Sequence, residues 1–372
     1  MREFQGSHTA QLVEDALDKV YEYSHRFYIE ELEKNSRRLR KTSLRTQHKG
    51  HMVNRILKRF GLYLTYASVK RYHYDSMSKW GGVGTFLLAL KNPQEFDGVY
   101  ELLADSESRS IFDWFVKYRV AYAFLGRFAD EVFPPPVTEE EFRRGMDSLS
   151  YRGDNFHINN FEIKTNIGEM TTSWILRQYE LKGCAIEEGD HVLDGGAYKG
   201  ETALWFAANG AGKVYAFEPD PHNFSVLLEN IRKNRLSDKI VPFQKALSRS
   251  EGRLRFSATG TDGSKASDSG NLTVESVALD ELLEKNFVER VDFIKLDVEG
   301  AELEALEGGM ETIKRFKPKM AISVYHTSRD IIDITKLVSQ LLPEAKLYLS
   351  HKNCTFTETI LFVNPRDRET TE

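Results

Sequence analysis

One segment, residues 191–220, constrains the fold of this chain more than any other part of it. Its apolar residues predict a short buried strand that ends at Leu193, followed by a turn and a helix from Glu201 to Asn209. A second buried strand runs from Val214 to Phe217 and ends in Glu218. Because parallel neighbouring strands need a crossover connection, this order predicts a strand–helix–strand unit of an α/β sheet.

The turn of this unit indicates what kind of ligand it could hold. Glycines let a backbone approach a ligand closely, and an acid at a strand tip can accept hydrogen bonds from ribose hydroxyls. A dinucleotide site needs the spacing G-x-G-x-x-G, whereas this turn has Gly195, Gly196 and Gly200 after Asp194. A carboxylate repels phosphate but suits a ligand with sulfonium and ammonium groups, which favours S-adenosylmethionine over a nicotinamide dinucleotide. A glycine-rich turn without any ligand remains the alternative.

Composition limits the remaining classes of function. A length of 372 residues favours two domains, or one domain with a large extension, and 41% apolar residues suffice for a core. The net charge of −5 gives no basis for nucleic-acid binding. Two cysteines predict a cytoplasmic, reducing environment, and no zinc-binding spacing is present. No run approaches the roughly 18 apolar residues of a membrane span, so the chain is expected to be soluble or peripherally attached.

The N-terminal part reads as helical. Residues 9–34 place Leu12, Ala16, Val20 and Tyr23 on one stripe, and residues 37–59 form a basic segment with an apolar face. Such a segment can lie on anionic lipid or on an acidic partner, and the alternative is a solvated helix packed on the protein itself. Three prolines at 134–136 predict a boundary between a helical domain, 1–136, and a second domain, 137–372.

From residue 191 onward, strands and helices alternate. The pattern predicts a doubly wound sheet of about seven strands, five of them parallel and two forming a closing hairpin. The expected strands are 191–194, 213–217, 239–244, 292–297, 319–325, 346–350 and 357–363. The expected helices are 171–181, 200–209, 221–234, 300–314 and 329–341. Residues 257–271 are polar and rich in glycine and serine, which predicts a surface loop or a lid.

Carboxylates follow several of these strands. Because a ligand of such a sheet binds at the carboxyl ends of its strands, they are expected to share one crevice. They are Asp194, Glu218, Asp297, Glu299 and Glu302. So many anions together require a cationic ligand, hydroxyl groups or a metal to offset the cost of burial. For Glu302 the alternative is a first-turn acid that the helix dipole favours.

Several of these motifs, in this order, resemble the FkbM-type family of S-adenosylmethionine-dependent methyltransferases. The motifs are the run 194–200, Ala216-Phe217-Glu218-Pro219, Ala246-Leu247-Ser248, the run 294–302, Tyr325-His326, and His351 before the strand Glu358-Thr359-Ile360-Leu361. The resemblance covers residues 170–364, and the family usually has asparagine where this chain has Tyr198. It implies a class I methyltransferase fold: a Rossmann-like, seven-stranded, mostly parallel sheet, here with an N-terminal helical domain.

The resemblance also implies roles for individual residues. Those around the methionine part of S-adenosylmethionine would be Asp194, Gly195, Gly196, Ala197 and Gly200. Glu218 with Pro219 would bind the ribose, and Lys245 with Ala246 would lie near the adenine. Asp297 would sit between the methyl donor and its acceptor. Family substrates are mostly hydroxyls of sugars, glycans and natural products.

A hydroxyl acceptor is a poor nucleophile, so a general base is expected. Removal of its proton in the transition state contributes about 10²- to 10⁴-fold in rate. His326 is the best candidate by placement, Asp297 and Glu299 are rivals, and a structural role for the histidine is an equal alternative. No metal-binding loop spacing accompanies the acids, so no metal is expected, although Asp297, Glu299 and Glu302 leave a hard cation as an alternative.

These features lead to one prediction with two alternatives. The chain is expected to be an O-methyltransferase that acts on a hydroxyl of a sugar or glycan, a glycolipid or a natural product. The alternative is a non-catalytic protein of the same fold that docks a partner or a membrane through its helical domain. A nicotinamide dehydrogenase is disfavoured by the glycine spacing. Peripheral membrane contact and a homodimer are left open.

Overall fold

The computed structural model describes residues 6–39, 82–260, 264–266, 270 and 272–365. Most of the basic segment at 37–59 therefore lies outside the described residues, and so does part of the polar segment 257–271. Within the described ranges, no helix is both long enough and apolar enough to cross a bilayer. The chain divides into two compact units, residues 1–94 with 114–134 and residues 95–113 with 135–372.

The first unit is helical. Its elements are α1 (His8–Leu39), α2 (Gly82–Lys91), the start of α3 (Pro93–Leu102), the second part of α4 (Ser106–Leu125) and α5 (Ala129–Val132). The predicted stripe on α1 is confirmed for Leu12, Ala16 and Val20, which are buried, while the half-buried Tyr23 donates its hydroxyl to Glu131. Residues 95–113 belong to the second unit, although the sequence places them within a domain of residues 1–136.

The second unit begins with a small antiparallel sheet. Its first elements are α6 (Glu139–Asp147), β1 (Ser150–Arg152), β2 (Asn155–Ile158), β3 (Phe161–Lys164) and α7 (Ile167–Met170). Helix α6 starts with a capping box between Thr138 and Glu141. The prediction of a helix at 171–181 is wrong. Residues 171–175 form one π-helical turn after α7, and the helix then ends. Such turns are frequent at functional sites.

The central sheet has seven strands, as the sequence predicts. The elements from the first strand of this sheet onward, in chain order and including strands outside the sheet, are β4 (His191–Gly195), α8 (Glu201–Ala208), β5 (Lys213–Phe217), α9 (Pro221–Lys233), β6 (Ile240–Phe243), β7 (Ala246–Leu247), β8 (Gly252–Ser257), β9 (Lys265–Ala266), β10 (Leu272–Val277), α10 (Leu279–Glu284), β11 (Phe293–Leu296), α11 (Glu302–Glu307), α12 (Met310–Phe316), β12 (Lys319–Ser323), α13 (Asp330–Leu341), β13 (Lys346–His351) and β14 (Thr359–Asn364).

The sheet is mixed, with strand order β13-β14-β12-β11-β4-β5-β6. The five strands from β12 to β6 are parallel, and β14 runs antiparallel to both of its neighbours. Strands β5 and β11 lie on opposite sides of β4, so the strand order reverses there. Ligands of open α/β sheets bind at such a switch point, beyond the carboxyl ends of the strands. Those ends are Gly195 in β4 and Leu296 in β11.

A four-stranded sheet of β7, β10, β8 and β9 was not predicted. Strands β8 and β10 flank the segment expected to be loop, and the short β9 within it pairs with β8. The helix expected at 300–314 is also divided, into α11 and α12, at Gly308-Gly309. A Cβ on Gly308 would lie 2.0 Å from the carbonyl oxygen of Ser248, so a close approach of two backbones interrupts the helix there.

Candidate active site

The glycine turn after β4 is packed against protein and not against open space. The amides of Gly196 and Ala197 both donate to the carbonyl of Phe217, which ties the turn to the end of β5. Gly196 has φ +75°, and a Cβ there would lie 1.8 Å from the carbonyl oxygen of Asp297. The sequence explains this glycine by the space that a ligand needs. The structure adds a second explanation, because the tip of β11 leaves no space for a Cβ at this position.

Asp194 lies beneath this turn and is fully buried. Its Oδ1 is 3.1 Å from Nζ of Lys295, and its Oδ2 accepts from the hydroxyl of Thr202 at 2.7 Å. The same ammonium donates to the carbonyl oxygens of Gly195 and Gly196 at 3.1 and 2.6 Å. Asp194 is thus paired with Lys295, a partner that the sequence reasoning missed. A lysine inside an otherwise apolar buried strand was the available signal.

Glu218 stands at the tip of β5 and is 5% exposed. Its two carboxylate oxygens accept from the amides of Tyr198 and Asp220, at 2.9 and 2.8 Å. Burial raises the pKa of Glu218 to about 8. Each carboxylate oxygen can accept more than one hydrogen bond, so the side chain retains capacity for two ribose hydroxyls. The half-buried Pro219 follows it in the turn.

Asp220 joins this strand tip to the small sheet. Its Oδ1 caps helix α9 through the amide of His222, and its Oδ2 accepts from the amide of Gly260 and the hydroxyl of Ser264. The described parts of the polar segment therefore lie at the expected ribose site, and not at a distance from it. This favours the interpretation of the segment as a lid.

The residues expected near the adenine are held by the small sheet. Lys245 forms an ion pair with Glu275 of β10, with 2.7 Å between Nζ and Oε2. Ala246 starts β7 and pairs with Ser276. Phe243, at the end of β6, stacks on Phe217 with 4.7 Å between ring centroids. The placement of Lys245 and Ala246 beside the adenine stays a prediction.

The acids that follow β11 converge on His326, which follows β12. Its Nε2 lies 3.3 Å from Oδ1 of Asp297 and 3.9 Å from Oε1 of Glu299, and its Nδ1 lies 2.8 Å from Oε1 of Glu302. The histidine is 1% exposed, whereas the side chains of Asp297 and Glu299 are 17% and 22% exposed. These three predicted catalytic residues are thus in one cluster, with the carboxylates on its accessible side.

Electrostatics separates the roles of the candidate bases. Burial disfavours the cation of His326, but Glu302, Asp297 and Glu299 outweigh burial and raise its pKa to about 10. The imidazole is therefore protonated at neutral pH and has no free nitrogen to take a proton. Burial, with repulsion from Asp297 and Glu302, raises the pKa of Glu299 to about 8 despite the attraction of His326. Glu299 is the group whose pKa suits a general base.

Asp297 is ionised and held on both oxygens. Burial opposes its charge, but His326 and Lys295 outweigh burial and lower its pKa. Its Oδ2 accepts from the hydroxyl of Tyr179 at 2.8 Å, and its Oδ1 accepts from Tyr325 at 3.4 Å. Glu358 lies beyond Tyr325, with 3.0 Å between its Oε1 and the tyrosine hydroxyl.

One group of the described residues has the composition of a metal site. Potential ligand atoms of Asp297, Glu302 and His326 lie within 4.8 Å of one another. Glu302, however, already accepts from the amides of Val298 and Gly300, and its partner at Nδ1 of His326 is a charged donor. The group is internally bonded, and we assign no metal to it. The expectation that no metal is needed stays a prediction.

Sequence reasoning gave no site role to several residues that the structure brings here. These are Gln178, Tyr179, Tyr325, Glu358 and, beneath the turn, Lys295. Tyr325 and Glu358 adjoin motif residues, so their position along the chain was the available signal. No pattern marked Gln178 and Tyr179, which follow an irregular helix end. Tyr198 has φ +50°, a conformation in which asparagine is enriched, and this accounts for the asparagine usual in the resembling family.

Comparison with known proteins confirms the resemblance seen in the motifs. Residues 194–356 match the family model described as the methyltransferase FkbM domain. The chain is 35% identical over 166 residues to the hexuronic acid methyltransferase AglP of Haloferax volcanii, which covers 43% of this chain and 64% of that protein. It is 28% identical over 146 residues to the 2-O-methyltransferase NoeI of Sinorhizobium fredii, which covers 33% and 59%.

The chain therefore spans less than two thirds of the length of both relatives. Among solved structures, the methyltransferase FkbM from Methylobacillus flagellatus KT superposes with a TM-score of 0.54 at 19% identity. The superposition covers 77% of this chain and 61% of that one. The α/β fold with its mixed seven-stranded sheet is thus of the methyltransferase type.

Proposed function

We propose that this chain, whose residues 194–356 match the methyltransferase FkbM domain, is an S-adenosylmethionine-dependent O-methyltransferase. The observation that carries the proposal is the convergence, at the switch point of the sheet, of a glycine turn, Glu218 and the pair Asp297–Glu299. The acceptor is a hydroxyl of a sugar or glycan, a glycolipid or a natural product.

The donor set of the crevice suits this methyl donor. Glu218 presents a carboxylate to the ribose hydroxyls, while its raised pKa indicates that a nearby positive charge would be favourable. Residues 194–197 and Gly200 form the turn beside which the methionine part would lie. S-adenosylmethionine supplies a methyl group that its sulfonium already activates, so the remaining work of the protein is alignment and proton removal.

Alignment and proton removal fall to different side chains. Holding the acceptor oxygen in line with the methyl group can lower the barrier by about 7–11 kcal/mol. We assign the base to Glu299, since its carboxylate is the accessible one with a pKa near 8. His326 is fixed by Glu302 and serves as the buried countercharge of Asp297 and Glu299. The acceptor's proton would pass to an oxygen of Glu299 as the oxygen–methyl bond forms.

The relatives support a sugar acceptor. One is named for a hexuronic acid and the other for 2-O-methylation. Methylation of a carboxylate and methylation of a hydroxyl differ in their need for a base. A carboxylate acceptor is already ionised, whereas a hydroxyl has a proton to lose. We therefore propose an alcohol as the methylated group. Peripheral membrane contact and a homodimer stay predictions.

Transfer of a labelled methyl group tests the proposal. The full chain is incubated with methyl-labelled S-adenosylmethionine and a set of neutral, amino and uronic-acid glycosides, and the product is treated with alkali. Label in a product that survives alkali is expected, since an ether resists hydrolysis and a methyl ester does not. Label in esters only, or in no glycoside, would contradict the proposal.

The base assignment has its own control. Glu299→Gln is expected to lower the turnover number by about 10²- to 10⁴-fold, because the amide cannot take the proton. In the wild type the rate should fall as pH decreases below the pKa of this group. Glu304→Gln, on the exposed side of α11, should retain the wild-type rate and pH profile. Equal rates for the two variants would remove Glu299 as base.

A further inference from the structure

Five side chains at the carboxyl ends of β11 and β12 form a closed hydrogen-bonded ring. We call it the acidic ring; its members are Gln178, Tyr179, Asp297, Tyr325 and Glu358. Nε2 of Gln178 donates to the hydroxyl of Tyr179, 3.2 Å away, and to Oε2 of Glu358. The two tyrosines donate to the two oxygens of Asp297, and Tyr325 also lies 3.0 Å from Glu358.

Three members of the acidic ring lie outside the part of the chain that matches the family model. Gln178 and Tyr179 precede residue 194, and Glu358 follows residue 356. Glu358 has φ +75°, a left-handed conformation that is strained for a non-glycine residue and persists only where its surroundings enforce it. These three residues reach the matched domain from the segments on either side of it.

The hydroxyl of Tyr325 has one proton but two carboxyl neighbours, Asp297 and Glu358. When Glu358 is the neutral acid and donates to Tyr325, the tyrosine proton is left to Asp297, so each contact between a carboxyl group and a tyrosine hydroxyl in the ring has one donor and one acceptor. Burial, with the nearby charge of Asp297, raises the pKa of Glu358 to about 7, which is consistent with this arrangement. No lysine or arginine among the described residues forms an ion pair with Glu358 or Glu299.

We propose that Glu358 is a positioning residue that, through Tyr325 and Gln178, fixes the carboxylate of Asp297 beside the positively charged sulfur of the methyl donor. Its consequence is a preference for S-adenosylmethionine over S-adenosylhomocysteine, the demethylated product, which has no positive charge on sulfur. The inference rests on the proposed function, because it requires the donor to bind at this switch point. A carboxylate whose position is fixed attracts a nearby cation more strongly than one that is free to move away.

The ratio of two dissociation constants tests this inference without any acceptor. Calorimetry measures the binding of S-adenosylmethionine and of S-adenosylhomocysteine to the full chain at about pH 6, below the pKa of Glu358. In Glu358→Ala, the preference for the charged ligand should fall about three- to tenfold, while the affinity for the neutral one changes by less than about twofold. Glu358→Gln should keep the wild-type preference, because its amide can donate to Tyr325 and accept from Gln178. Thr357→Ala, in the same loop, is the matched control.

Two results would overturn the inference. One is an unchanged preference in Glu358→Ala; the other is an equal loss of both affinities that Glu358→Gln does not restore, which indicates a structural role only. If Glu358→Ala does not fold, Tyr325→Phe decides the question, since it removes the hydroxyl that links Glu358 to Asp297 and should lower the preference likewise. A wild type that binds neither ligand would instead contradict the proposed function itself.

Discussion

Gly196 shows how tightly single residues are constrained at this site. The carbonyl oxygen of Asp297 occupies the position that a Cβ would take, so the turn after β4 and the tip of β11 fix each other. The neighbouring Tyr198 tolerates its left-handed backbone at a cost of about 1–2 kcal/mol. At this scale, chemistry and folding depend on the same few residues.

Replacing Gly196 by alanine should be far more destabilising than the same change at Gly153. Both glycines have positive φ, +75° and +66°, but only Gly196 has an atom within 4 Å of the added Cβ. We expect Gly153→Ala to cost about 1–2 kcal/mol through backbone strain, and Gly196→Ala about 3 kcal/mol more through the clash. Urea unfolding of the two variants measures the difference. Equal losses of stability would show that the close approach does not exist.

In the proposed mechanism, His326 is a buried cation and not the base. Removing it leaves Glu302 without its charged partner, and breaking such a buried pair costs about 3–5 kcal/mol. His326→Ala should therefore lower the free energy of unfolding by that amount. His222→Ala, at the exposed start of α9, should change it by less than about 0.5 kcal/mol. A stable His326→Ala variant that has lost only its activity would restore the histidine as base.

At the scale of elements, the small sheet around β8 and β10 is the least expected feature. The polar segment between β8 and β10 is rich in glycine and serine, so its local pattern predicts a loop, and the pairing of β10 with both β8 and β7 is what forms the sheet. Asp220 connects this sheet to the site through the amide of Gly260 and the hydroxyl of Ser264. The small sheet is therefore the element expected to respond to the donor.

Ser264→Ala should loosen this connection without affecting helix α9, since Ser264 donates to Oδ2 of Asp220, whereas Oδ1 caps the helix. We expect faster amide hydrogen exchange in residues 257–260 and 264–266, and an unchanged melting temperature. Asp220→Ala should additionally lower stability by about 1 kcal/mol through the lost cap. Unaltered exchange in both variants would mean that Asp220 does not hold the segment.

The elements that carry the nucleoside-type site follow closely from the sequence, and the acceptor side does not. Continuous apolar runs such as residues 214–217 are buried on both faces, so their pattern alone identifies them. Tyr179, which donates to Asp297, and the pair Gln178–Glu358, which completes the acidic ring, come from irregular segments that are distant from Asp297 in the chain. No periodicity predicts such contacts, because they depend on how loops pack after the sheet has formed.

For the molecule as a whole, the excess of buried acids links stability to pH. Burial raises the pKa of Glu201 and Glu358 to about 7 and that of Glu218 and Glu299 to about 8. The folded state therefore keeps protons that the unfolded chain has lost above a carboxyl pKa of about 4.3. The stability from these groups is full at low pH and is lost as pH rises through 7 and 8. His326 acts in the same direction between about 6.5 and 10.

The free energy of unfolding without ligand should accordingly fall as pH rises from 5.5 to 7. Each proton that the folded state binds in excess of the unfolded state lowers the free energy of unfolding by about 1.4 kcal/mol per unit rise in pH. Glu299→Gln should reduce the slope by about that amount, because the amide does not titrate. Urea unfolding at several pH values measures both slopes. Stability that rises over this interval, or identical slopes in the two proteins, would contradict the assigned protonation states.

The central claim is that the crevice beyond β4, β5 and β11 binds S-adenosylmethionine, and calorimetric titration of the full chain tests it most directly. We expect one molecule to bind per chain. The affinity should be about 10- to 100-fold weaker in Glu218→Ala, because the hydrogen bonds between the ribose hydroxyls and the carboxyl group of Glu218 are lost. The variant Glu304→Ala, away from the crevice, should bind as the wild type does. Absence of binding by the wild type, or undiminished affinity in Glu218→Ala, would contradict the account.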